Sequence, residues 1–215
     1  MEHLEHLCNM NKSTFAFELS KDEVKEYILE HKAEISPVIN REIRVTIMID
    51  EEIQKFHECR FPCLLAAMFH FFRDSTHDSD DPSMAEFLLK EFPHVDVNAF
   101  CVNSYIFDLY VNPVVFCFDN AKAECCFMLA RQPEFNIEYL LRSVCLYEQL
   151  DIRHQEIFEN VLAIADPKKF TPSSFERDDP KAIRNDIVKR YIKDPHAVHL
   201  EFKRNLDLHP CAEKK

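Results

Sequence analysis

The sequence predicts an all-α protein: a solenoid of helix-turn-helix repeats closed by a C-terminal capping helix. Three observations lead there. Glycine is absent from all 215 residues, so every left-handed turn position falls to a residue with a Cβ. That disfavours tight β-hairpin folds and is easier for helices. Apolar runs of helical length are bracketed by proline, which opens a helix in its first turn and cannot continue one. Finally, a pattern of apolar helix, turn, apolar helix and polar loop recurs. Glu124 and Glu156, each followed by an apolar run that ends at proline, stand 32 residues apart. A pair of helices this short cannot bury its apolar faces alone, whereas stacked copies can.

Residues 1–60 read as an N-terminal helical segment with one diverged repeat. Ser20 and Glu23 have capping-box spacing. Val24, Tyr27, Ile28 and Leu29 then follow helical periodicity until Pro37 ends the unit. Val45-Thr46-Ile47-Met48-Ile49 is β-branched and reads as an extended lead-in. A helix is expected to start at Asp50-Glu51-Glu52, where the macrodipole favours acids.

Residues 61–170 hold the repeats. Pro62 opens an apolar helix through Met68, and Arg73 to Asp81 is a polar loop. Pro82 opens a second helix through Met84, Phe87, Leu88 and Leu89, which stops before Pro93. The next pair is Pro113–Phe118, a turn at Asp119-Asn120, and Lys122–Arg131 ahead of Pro133. A further pair is Val144–Leu150, then Gln155–Ala165 ending at Asp166-Pro167. Residues 171–215 are a polar linker (Thr171 to Pro180) and capping helices. Helix 181–193 carries Ile183, Ile187, Val188 and Tyr191 on one face, and 199–208 forms one more short helix.

The net charge of −12 argues against nucleic acid, whose phosphates require an excess of Lys and Arg. It argues equally against anionic membranes and is compatible with a partner that has a basic surface. The nine cysteines are odd in number and include no Cys-x-x-Cys. They read as small buried hydrophobes in a reducing compartment. With no signal-peptide run and no membrane-length apolar stretch, a cytoplasmic or nuclear location is expected.

No residue set assigns a reaction, so no enzyme activity and no cofactor are expected. Without glycine neither a phosphate loop nor a Gly-x-Ser-x-Gly elbow can be written. His3, His6 and Cys8 have ligand-type spacing, but a zinc site needs a fourth ligand in an ordered frame. His57, Cys59 and Cys63 offer ligands or nucleophiles, but a reactive Cys needs a base and a lowered pKa. The acidic run Asp74 to Asp81 lacks the Gly and the twelfth-position Glu of a calcium loop. Its Ser75, Thr76 and Ser79 suit phosphorylation or partner binding.

Asn112-Pro113-Val114-Val115-Phe116-Cys117-Phe118-Asp119-Asn120-Ala121-Lys122-Ala123-Glu124 and the run to Leu129 resemble an ankyrin repeat. Asn112-Pro113 stands in place of Thr-Pro, and Ala121 in place of the turn glycine. Phe61 to Ala67 is similar to a first helix, Met84 to Leu89 to a second, and Val95-Asp96-Val97-Asn98-Ala99 to the repeat exit. The His that bridges neighbouring repeats is replaced by Val115 or Leu64. The resemblance implies three to four ankyrin-like repeats and a non-catalytic protein-protein interaction module. It places the partner surface on loop tips and the concave face, near 98–110 and 136–142. Tyr105, Tyr110, Tyr139 and Arg142 lie there, of the residue types that dominate interface hot spots. The alternatives are a regulatory inhibitor or adaptor subunit docking through its C-terminal helix, and a Cys/His metal-binding protein.

Overall fold

The computed structural model describes residues 21–41, 43–50, 55–61, 81–99, 112–172, 175 and 182–208, with the two strands traced by their backbone. The chain divides into two compact units, Met1–Phe116 and Cys117–Lys215. Helix predominates among the described residues.

In the first unit, α1 (Lys21–Glu30) buries Val24 and Ile28, one turn apart, and carries Asp22 and Glu23 in its first turn. A short α2 (Lys32–Ile35) and a 3-10 turn (Ser36–Val38) that takes in Pro37 follow. Helix α3 (Ser83–Glu91) buries Met84, Ala85 and Leu88 and lies against α1. Polar contacts fasten these pieces together. The Lys21 ammonium donates to Asp81 at 2.6 Å. That of Lys32 donates to Glu91 at 2.9 Å and stands 5.8 Å from the centre of the Phe92 ring. The Asn40 side chain donates to the His94 carbonyl and accepts from the Asp96 N–H, both at 2.7 Å.

One expectation is overturned between these helices. Ile43–Asp50 (β1) and Lys55–Phe61 (β2) form an antiparallel pair. The helix expected from Asp50 is therefore a strand across 55–61. The β-branched run is more than a lead-in, because its backbone groups are matched from Ile43↔Phe61 to Asp50↔Lys55, with an irregularity between Met48 and Asp50. Acids at a would-be helix start are a weak local preference, and the backbone hydrogen bonds gained against a partner strand outweigh it. The first helix expected after Pro62 lies outside the described residues.

Helix α4 (Pro113–Asp119) contains the boundary between the units. Asn112 caps it: its side-chain oxygen accepts from the Val114 N–H at 3.0 Å. Its amide nitrogen reaches the carbonyls of Asn98 and Ala99, which accounts for an asparagine 1% exposed.

In the second unit, α5 (Ala123–Ala130), α6 (Glu138–Val144) and α7 (Ile152–Ile164) supply the core, with Leu129, Leu140, Leu141, Phe158, Val161 and Leu162 all buried. After a 3-10 turn (Pro167–Lys169), α8 (Asp186–Lys193) and α9 (Pro195–Leu208) follow. Helix α9 packs on α7 and on α8, and Val188, Tyr191, Val198 and Phe202 turn inward. The C-terminal helices begin elsewhere than expected: α8 starts at Asp186, where Asn185 accepts from the N–H groups of Ile187 and Val188. Helix α9 starts at Pro195 rather than at 199.

The last helix pair is also displaced. Val144 ends a helix rather than opening one, because Asn136 accepts from the Glu138 N–H and starts α6 there. Ile152 rather than Gln155 opens α7, because Asp151 accepts from the His154 N–H. Residues 145–151 are thereby the connection between two helices.

Candidate functional site

Three chain segments share one local geometry. At Val95-Asp96-Val97, Phe135-Asn136-Ile137 and Ala165-Asp166-Pro167, a polar Asp or Asn sits between two buried residues. In each, the central side chain accepts the N–H two residues on: Asn98 at 2.9 Å, Glu138 at 3.0 Å and Lys168 at 3.0 Å. Each segment leaves a helix, α3, α5 or α7. The polar residue turns the chain while its neighbours anchor it. Over the first two, the match extends to a Pro three residues ahead, Pro93 and Pro133, and to Phe87 and Phe127 in the preceding helices. The spacing is 40 and then 30 residues, which differs from the register suggested by Glu124 and Glu156.

Of the expected contact residues, Tyr105 and Tyr110 lie outside the described residues. Tyr139 and Arg142 are both half-buried on α6. The Arg142 Nε donates to Glu138 at 3.0 Å, and the guanidinium stands 4.5 Å from the centre of the Phe175 ring. Phe175, in the stretch expected to be a polar linker, is buried. Just beyond, the Cys145 carbonyl accepts from the Arg184 N–H at 2.7 Å, so the end of α6 is tied to the chain ahead of α8.

Among the described residues, no group of three or more His, Cys, Asp or Glu side chains is placed to hold a metal ion. The His3, His6, Cys8 set and Cys63 lie outside them, as does the acidic run up to Asp80. Asp81, at the end of that run, accepts from the N–H and hydroxyl of Ser83 and from Lys21. Cys117, Cys125 and Cys126 are buried thiols and Cys145 is half-buried. Burial, reinforced by the hydrogen bond with Cys125, pushes the Cys117 thiol well above its ordinary range, away from the thiolate that nucleophilic chemistry needs.

A groove of about 550 Å³ opens where the 145–151 connection, the first half of α7 and the start of α8 meet. Leu150, Ile152 and Ile187 supply apolar surface, and Glu148, Glu156, Glu159 and Asp186 supply carboxylates. Ile152 is 89% exposed, and Leu146 and Tyr147 on the adjoining connection are 61% and 52% exposed. Glu159 accepts from the Gln155 amide. Asp186 pairs with Lys189 at 2.8 Å, and that hydrogen bond holds its carboxyl below the usual range. The sequence reading missed this site, because treating 144–150 as helix placed its apolar residues in a core. The signal was the interspersion of Leu146, Tyr147, Leu150 and Ile152 with the polar Glu148, Gln149 and Asp151.

No helix among the described residues is long and apolar enough to cross a membrane. No protein-family model, curated protein or solved structure matches the chain.

Proposed function

We propose that the protein is a non-catalytic interaction module, a diverged array of ankyrin-like helix pairs capped at its C-terminal end, which binds another protein with a basic surface in the cytoplasm or nucleus. The carrying observation is the threefold recurrence of a buried–Asx–buried exit at 95–97, 135–137 and 165–167, each with the same side-chain to backbone bond. A recurring exit after every second helix is what stacked helix pairs require, and such arrays present extended surfaces for partners. The burial of Val188, Tyr191, Val198 and Phe202 favours a cap over an adaptor arm, since docking through α8 would need its apolar face free.

The test is affinity purification of the full chain from its own cells, followed by binary binding with each purified candidate. Direct binding at about 10 μM or tighter supports the reading. It is overturned if no co-purifying protein binds directly. The metal-binding alternative takes its place if the purified chain carries about one equivalent of zinc that is lost in Cys59→Ser and Cys63→Ser.

A further inference from the structure

We infer that the groove lined by the 145–151 connection, α7 and α8 is the docking site for a short basic–apolar segment of a partner protein. This rests on the interaction reading above and deepens it by assigning the site and the chemistry of its occupant.

The apolar half of the argument is Ile152. It occupies the first helical position of α7, where the fold asks for no isoleucine, and it is 89% exposed. Leu150 and Ile187 line the same groove, so an incoming apolar side chain finds several apolar neighbours at once. The volume of about 550 Å³ falls within the range of ligand-sized clefts.

The charged half is the rim. Glu148, Glu156 and Glu159 line the groove together with Asp186, which is already paired with Lys189. The nearby cations Arg153 and Arg184 are not among the lining residues. A second copy of this chain would bring the same carboxylates and a further charge of −12, and an anionic lipid surface is repelled for the same reason. A segment with one or two large apolar residues flanked by Lys or Arg satisfies both halves, the apolar anchor filling the groove and the cations setting its register.

The experiment is fluorescence anisotropy on the full chain with a degenerate library of labelled 12-residue peptides, each with two leucines flanked by Lys or Arg. Two control libraries carry Glu in place of the cations or Ser in place of the leucines. Basic–apolar peptides should bind, and both controls should be weaker by about tenfold or more. Ile152→Ser and Glu156→Lys, at exposed positions, should each lower affinity by a similar factor while leaving the circular-dichroism melt in place. Equal binding of either control library, no binding by any peptide, or undiminished binding in both variants overturns the inference. So does sedimentation showing that Ile152 holds a dimer together. If a purified natural partner binds both variants as well as it binds the unmodified chain, the groove is wrong while the interaction reading stands. If no direct partner exists, that reading itself fails.

Discussion

Ala121 carries the clearest trace of the missing glycine. Helix α4 ends with the Lys122 N–H donating to the Cys117 carbonyl and the Ala121 N–H to that of Phe118, both at 2.8 Å. This paired pattern places Ala121 in the left-handed position, and its φ is 52°. A Cβ there costs roughly 1–2 kcal/mol, partly offset because Gly would loosen the unfolded chain. Ala121→Gly should therefore stabilise by about 0.5–1 kcal/mol, read as a higher urea midpoint; a lower midpoint would show that the turn is misassigned. Tyr191 poses the opposite case. Its ring packs against Phe170 and is fully buried, yet its hydroxyl has no hydrogen-bond partner among the described residues. Burial, with Asp166 nearby, pushes that hydroxyl far above its usual range. Removing an unsatisfied group relieves its desolvation cost, so Tyr191→Phe should be neutral or stabilising by up to about 1 kcal/mol. A clear loss in the melting temperature would reveal a partner for the hydroxyl.

Among the elements, α5 tests whether the helix pairs are correctly placed. Leu129 is fully buried on it, and α5 packs on α7. Leu129→Ala should cost about 2–5 kcal/mol through lost transfer energy and a cavity; a near-zero effect in denaturant titration would remove α5 from the core. Helix α3 is held at its start by Asp81. Burial raises the pKa of this carboxyl, but Lys21 and the N–H and hydroxyl of Ser83 outweigh it and hold it at about 2. Because the folded value lies below the ordinary value of about 3.9, the stabilisation is complete above that pH and is lost as pH falls toward 2. Asp81→Asn should therefore flatten the fall in stability between about pH 4 and pH 2. An unchanged acid profile, measured by urea titration at each pH, would show that the cap and its lysine do not couple to folding.

At the scale of the whole molecule, charge sets the behaviour. A net charge of −12 makes the compact chain repel itself. The ion pairs are mostly part-exposed, as in Lys21–Asp81, Lys32–Glu91 and Arg142–Glu138, and each is worth little. Raising NaCl from about 0.01 to about 0.1 M shortens the screening length from about 30 to about 10 Å. The melting temperature should rise accordingly. A fall would mean that the pairs, rather than the net repulsion, dominate.

The sequence by itself determined the prolines and Asx residues that punctuate the helices. Pro82 and Pro113 open α3 and α4, Pro93 and Pro133 follow α3 and α5, and Asn112 caps α4. These signals act over three or four residues of one chain segment, so no distant contact is needed to interpret them. Tertiary structure alone decided the rest. Residues 55–61 form a strand because their backbone pairs antiparallel with β1. The tie from the Cys145 carbonyl to the Arg184 N–H joins residues 39 positions apart in the chain. Val161 is buried while Ile152 on the same helix stays exposed, and α5 and α9 both pack against α7. Two apolar side chains of nearly equal hydrophobicity differ only in what stands opposite them, and burial is set by that opposing surface rather than by the residue.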